Sequence, residues 1–91
     1  MAAVTRRRLL ISGRVQGVWF RDSCQTEARH HGVAGWVRNR SDGRVEAVLE
    51  GPPDAVATLV NWCATGPTRA EVTDIEVLEE EPVGEQGFRV R

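Results

Sequence analysis

The segment from Gly51 to Pro67 constrains the fold most. Gly51-Pro52-Pro53-Asp54 opens it with prolines suited to a first helical turn, Val56, Leu59, Val60 and Cys63 fall at i, i+3, i+4 and i+7, and Gly66-Pro67 closes it. One amphipathic helix results, with a single apolar face to bury. The runs around it follow another period. Arg8-Leu9-Leu10-Ile11-Ser12-Gly13 is short, apolar and closed by glycine, as a strand is. Val33 to Asn39 contains Trp36 and Val37 and ends at the turn cluster Ser41-Asp42-Gly43, after which Val45, Ala47 and Leu49 alternate with other residues, which predicts a hairpin. A thinner helix is expected from Phe20, because Phe20, Cys24 and Ala28 fall four apart and Gly32 supplies a left-handed stop. Val72 to Leu78 forms a further strand, with a phase change between Val72 and Ile75 that marks a bulge, and Phe88-Arg89-Val90 a short edge strand.

The order strand, helix, strand, strand, helix, strand is the split βαβ pattern of ferredoxin-like folds. The expected architecture is therefore an α+β sandwich (βαββαβ), an antiparallel sheet with two helices on one face. With 91 residues there is room for one core, so residues 1–91 form a single domain, residues 1–6 being expected as a flexible N-terminal tail. The acidic run Glu79-Glu80-Glu81 is expected in a solvated loop before Pro82.

Hydrophobic residues at 41% and charged residues at 27% are ordinary globular usage and argue against disorder. No run approaches the roughly 20 apolar residues of a membrane span, and Leu9 to Ile11 is too short for a signal-peptide core. A cytoplasmic protein with no membrane partner is the expectation. Cys24 and Cys63 are too few for a disulfide framework or a four-ligand zinc site, so reduced thiols and no metal are expected. All twelve basic residues are Arg, nine of them in residues 1–45 against three acids, while residues 46–91 hold three against ten. The near-neutral total of -1 disfavours a general nucleic-acid binder, whereas clustered guanidinium groups suit a small anionic ligand. Three charges at Arg6-Arg7-Arg8 give only weak attraction to RNA or membranes.

The informative segment is Gly13-Arg14-Val15-Gln16-Gly17-Val18-Trp19-Phe20-Arg21, in which two glycines bracket a loop between a strand end and a helix start. Successive amides in such a loop can form an anion-binding nest, and the helix N-terminus adds its positive end. The forked guanidinium of Arg21 can hold two oxygens of one phosphate. On physics alone the same residues serve equally as a plain glycine-rich turn followed by a solvated arginine. The glycine and lysine spacing of nucleotide-binding phosphate loops is absent. His30 and His31 lie at the far end of the first helix, and Cys24 falls on its apolar face, where packing outweighs a nucleophile. Arg38 and Arg40 flank Asn39, either adding positive potential or lying on an exposed strand face.

Gly13 to Arg21 resembles the acylphosphatase motif Gly-x-Val-Gln-Gly-Val-x-Phe-Arg, and Gly35-Trp36-Val37-Arg38-Asn39 with Asp42-Gly43-x-Val45-Glu46 resembles that family's second motif. The similarity extends to Gly51-Pro52 and the Phe88 tail and so covers roughly the whole chain. It implies a small cytosolic hydrolase that cleaves the carboxyl–phosphate bond of acyl phosphates by metal-free in-line attack of water, with no cofactor. It further implies that Arg21 is the catalytic phosphate-binding arginine and that Asn39 orients the attacking water. The loop Arg14, Val15, Gln16, Gly17, Val18 and Trp19 would supply the amide cradle, Trp19 standing where the family pattern varies. Inorganic phosphate is then product and competitive inhibitor, and the protein a monomer. Topology supports the pairing: in a split βαβ fold the loop after the first strand and the end of the second lie at one sheet edge. Without the resemblance, Asn39 is a turn former beside Ser41-Asp42-Gly43.

Two other functions compete. A ferredoxin-like RNA-binding module stacks bases on aromatics of its central strands, and Arg44 to Glu50 has none. A domain of a larger carbamoyl-transfer enzyme is disfavoured by the chain ending at residue 91 without zinc-finger cysteines.

Overall fold

The computed structural model describes residues 3–91. Its elements are β1 (Thr5–Arg14), α1 (Phe20–His30), β2 (Ala34–Asn39), β3 (Val45–Gly51), α2 (Pro53–Thr65), β4 (Glu71–Glu80) and β5 (Phe88–Val90). The sheet order is β4-β1-β3-β2-β5. β3 runs antiparallel to both β1 and β2, so those two are parallel to each other with β3 between them, as the split βαβ pattern requires. β4 pairs antiparallel with β1 and forms one edge. β5 adds parallel to β2 at the other edge, the one departure from an antiparallel sheet.

Alternation along the strands builds two unlike faces. Leu9 and Ile11 of β1, Val37 of β2, and Val45, Ala47 and Leu49 of β3 point to one side and are buried with Phe20, Cys24 and Ala28 of α1 and Val56, Leu59 and Cys63 of α2. That side holds the core under both helices. The opposite face is covered by no helix among the described residues, yet Arg6 is only 7% exposed, and Glu46 and Glu50 4% each. These side chains bury one another. Arg6 bonds Glu50 (3.1 Å), Glu80 (2.9 Å) and Glu85 (3.1 Å), Arg8 bonds Glu80 (2.5 Å) and Glu46, and Arg38 bonds Glu46 (2.6 Å). Trp36 lies in the same layer, with the guanidinium of Arg91 4.4 Å from its ring centre.

This ionic layer corrects two expectations. Thr5 and Arg6 belong to β1 rather than to a tail, because Arg6 stands opposite Glu50 on β3 and Glu80 on β4; residues 1–2 lie outside the described residues. Glu79 and Glu80 likewise extend β4 instead of lying in a loop, since the arginines of β1 give them cross-strand partners. The bulge falls where the phase change puts it: Ser12 pairs with Asp74 and Gly13 with Val72, leaving Thr73 extra. Gly13 (φ 119°) permits this, as a Cβ there would lie 2.1 Å from the Glu71 carbonyl oxygen.

Candidate active site

The chain leaves β1 at Arg14 and enters α1 at Phe20, and the loop between them is held by alternate residues. Val15, Val18 and Phe20 are buried in the core, while Gly17 and Trp19 stay exposed. Gln16 ties the loop sideways: its Nε2 donates to the main-chain oxygens of Arg40 (2.7 Å) and Arg44 (3.0 Å), beyond the end of β2. Among the described residues, the amides of Gln16, Gly17, Val18 and Trp19 donate to no main-chain acceptor. Two residues have positive φ, Gly17 (72°) and Trp19 (66°), and Trp19 caps α1 without a side-chain hydrogen bond.

A cleft of about 220 Å³ lies against this loop, lined by Val15, Gly17, Trp19, Phe20, Arg21, Asp22 and Asn39. Arg21, half-buried in the first turn of α1, donates through Nη1 to the main-chain oxygen of Arg91 (3.3 Å), just past β5. This is the single protein hydrogen bond of its guanidinium among the described residues. Asn39 ends β2, and its Oδ1 is buried with no hydrogen-bond partner among the described residues. A buried acceptor left unpaired costs on the order of 1–3 kcal/mol, so such an atom marks a place where a donor is wanted. The cleft therefore collects unbonded amides, the positive end of a helix, a fork of N–H donors and one unsatisfied acceptor.

Of the residues singled out in the sequence, Val15, Gly17, Trp19, Arg21 and Asn39 line this cleft. Arg14 is exposed at the end of β1, Gln16 acts as the tether, and Val18 is a core anchor. Arg38 and Arg40 are committed elsewhere: both reach Glu46, and Arg40 also Asp42 (3.1 Å). The Arg44 side chain, the Arg44 amide and Arg40 hold the Asp42 carboxyl far below its usual range. Burial pushes Glu46 up, but Arg38 and Arg8 outweigh it and hold its pKa below the ordinary value. Cys24 and Cys63 are fully buried, and the hydrogen bond to Cys24 together with burial raises the Cys63 thiol well above its usual pKa. His30 and His31 sit exposed at the far end of α1. Sequence reasoning missed Asp22, the one carboxyl group in the cleft lining, since an acid in a first helical turn is ordinarily explained by the helix dipole. It also missed the tether and the Arg91 contact, which carry no local signal.

The molecule is thus a small ferredoxin-like α+β sandwich with an anion-suited cleft at its first strand-to-helix junction. Comparison with known proteins gives the class a family. Residues 7–90 match the acylphosphatase family model. An acylphosphatase of Rubrobacter xylanophilus is 58% identical over 94% of this chain and 79% of its own length, and one of Haloquadratum walsbyi 53% identical over 96% and 94%. The crystal structure of acylphosphatase from Bacillus subtilis superposes with a TM-score of 0.91 at 42% identity, covering 96% of this chain and 98% of that one. The chain belongs to the acylphosphatase family. It is an enzyme that hydrolyses acyl phosphates to a carboxylate and inorganic phosphate, and its substrates are small molecules. No helix among the described residues is long and apolar enough to cross a membrane.

Proposed function

We propose that the β1–α1 loop, Arg21 and Asn39 form the catalytic machinery of this hydrolysis. The phosphoryl group sits against the amides of the loop from Arg14 to Trp19 and at the N-terminus of α1, with the guanidinium of Arg21 bridging two of its oxygens. These donors are fixed before substrate arrives, because Val15, Val18 and the Gln16 tether hold the loop, so the charge spreading over the phosphoryl oxygens meets oriented dipoles. The observation that carries the reading is the unpaired, buried Oδ1 of Asn39 in the same cleft as Arg21. It accepts a hydrogen bond from the attacking water and turns the water's lone pair toward phosphorus, in line with the departing oxygen.

The leaving group is a carboxylate, which departs as an anion without help because its conjugate acid has a pKa of roughly 4, far below that of an alcohol. The cleft needs to supply no proton. A metal is likewise unnecessary, since guanidinium and amides neutralise the phosphoryl charge. Inorganic phosphate occupies the same cradle as product and acts as a competitive inhibitor. The enzyme works as a monomer in the cytoplasm, and its two free, buried thiols fit that reducing compartment.

Substitution tests the roles separately. Arg21→Ala and Arg21→Lys each lower kcat/KM about 10²- to 10³-fold. Asn39→Ala lowers kcat while the phosphate inhibition constant stays near wild type, because a water-orienting group acts on attack more than on ground-state binding. Near-normal turnover by Arg21→Lys refutes the bidentate contact. Equal losses in kcat and phosphate affinity for Asn39→Ala refute water orientation.

A further inference from the structure

The cleft mouth carries a feature that phosphate binding does not use. Trp19 is 69% exposed, the indole gives nothing to the core, and no aromatic ring or guanidinium stacks on it among the described residues. The other two tryptophans do have partners: Trp62 packs on Phe20 at 5.4 Å between ring centres, and Trp36 lies under Arg91 and Arg8. Trp19 also holds a left-handed backbone (φ 66°), a conformation that a bulky side chain adopts only when its surroundings enforce it. Here the buried neighbours Val18 and Phe20 enforce it, so the direction in which residue 19 leaves the loop is set by the core.

We propose that the indole of Trp19 is the acyl-group subsite of the enzyme and selects substrates with a flat, apolar, above all aromatic, acyl group. The assignment rests on the phosphoryl cradle described above. With the phosphoryl group in the loop and water on the Asn39 side, in-line geometry directs the acyl group away from Asn39 toward the mouth. Of the seven lining residues, Gly17, Trp19 and Asp22 are the exposed ones. Gly17 offers only backbone and Asp22 a carboxyl group that repels anionic acyl chains. Trp19 alone offers a broad apolar plane. Because the plane is already held outward, an aromatic acyl group stacks on it with little ordering cost.

The contact is remote from the breaking P–O bond, so it acts on ground state and transition state alike and appears in KM. The test is the ratio of kcat/KM for benzoyl phosphate to that for acetyl phosphate in wild type, Trp19→Ala and Trp19→Phe. Taking the ratio on one protein cancels any change that a substitution makes to the cradle. The ratio is expected to fall about three- to tenfold in Trp19→Ala, carried by the KM for benzoyl phosphate, and to recover most of its value in Trp19→Phe. An unchanged ratio in Trp19→Ala, or a ratio no better in Trp19→Phe than in Trp19→Ala, overturns the subsite. A wild type that hydrolyses both substrates while the ratio ignores residue 19 leaves the cradle standing and removes only the subsite. A wild type inert toward both removes the cradle and the subsite with it.

Discussion

Gly17→Ala separates the loop's geometry from its chemistry. Gly17 has φ 72°, and a Cβ built on it meets no atom within 4 Å. The methyl group therefore collides with nothing, and its whole cost is the left-handed backbone, about 1–2 kcal/mol for an L-residue. Alanine also restricts the unfolded chain, which returns about 0.4–1 kcal/mol. The free protein can meet the remaining strain in two ways. It can hold the loop, in which case stability falls by up to ~1.6 kcal/mol, or it can relax the loop and repay the strain when phosphate draws the amides back. The two losses share one source, so together they stay within ~2 kcal/mol, and the inhibition constant for phosphate rises no more than about thirtyfold. Urea denaturation with and without phosphate, together with phosphate inhibition, measures both. Asparagine tolerates the left-handed region, so Gly17→Asn should recover most of whatever alanine loses. If Gly17→Ala changes neither stability nor inhibition, or if Gly17→Asn is as impaired as Gly17→Ala, the cradle does not depend on the backbone of residue 17.

Three further outcomes are expected. Glu46→Gln withdraws the carboxylate shared by Arg8, Arg38 and Arg40; Arg8 keeps Glu80 and Arg38 is 44% exposed, so the loss should lie near the low end for a broken buried pair, about 3 kcal/mol in urea denaturation at neutral pH. Burial opposes the amides of Val83, Glu85 and Gly84 and the side chain of Arg6 at Glu50, and loses, while Arg8 and Arg6 hold Glu80 down; with Glu46 this makes three carboxyl groups with lowered pKa. Their contribution is complete above the unfolded value of roughly 4.3 and is lost as pH falls through the lowered folded values, so stability should drop steeply below about pH 4 and less steeply in Glu46→Gln. On the side of chemistry, a site without a committed proton donor spares poor leaving groups: with a chelator present, benzoyl phosphate should be hydrolysed and a phosphoserine peptide left intact. Comparable turnover of the peptide would mean that a general acid operates, with Asp22 the first residue to substitute.

The parts of this fold legible in the sequence are those whose signal is apolar period. Val56, Leu59 and Cys63 mark α2, and the broken alternation between Val72 and Ile75 marks the bulge at Thr73. The parts that escaped are polar elements made structural by a distant partner. Arg6 and Glu80 have no strand character alone, and they acquire it only when β1 and β4 lie side by side. The site divides the same way. Gly13 to Arg21 is contiguous and carries its own glycines, so its motif could be recognised. The Gln16 tether joins residues 24 and 28 positions apart, and the unpaired Asn39 oxygen is a property of packing alone. No local pattern encodes either.

The edge strand β4 carries a consequence for how this enzyme behaves in a crowd. It runs ten residues along the open side of the sheet, long enough to template a second chain, and five of the ten are acidic: Glu71, Asp74, Glu76, Glu79 and Glu80. Glu79 and Glu80 pair with arginines of β1, but Glu71, Asp74 and Glu76 have no such partner among the described residues, so a copy approaching edge to edge brings like charge against like and the border that would seed fibrils is guarded by self-repulsion. In acid the carboxylates of the ionic layer take up protons, Glu80 loses its hold on Arg6 and Arg8, and the guarded border comes loose from β1 as the fold fails.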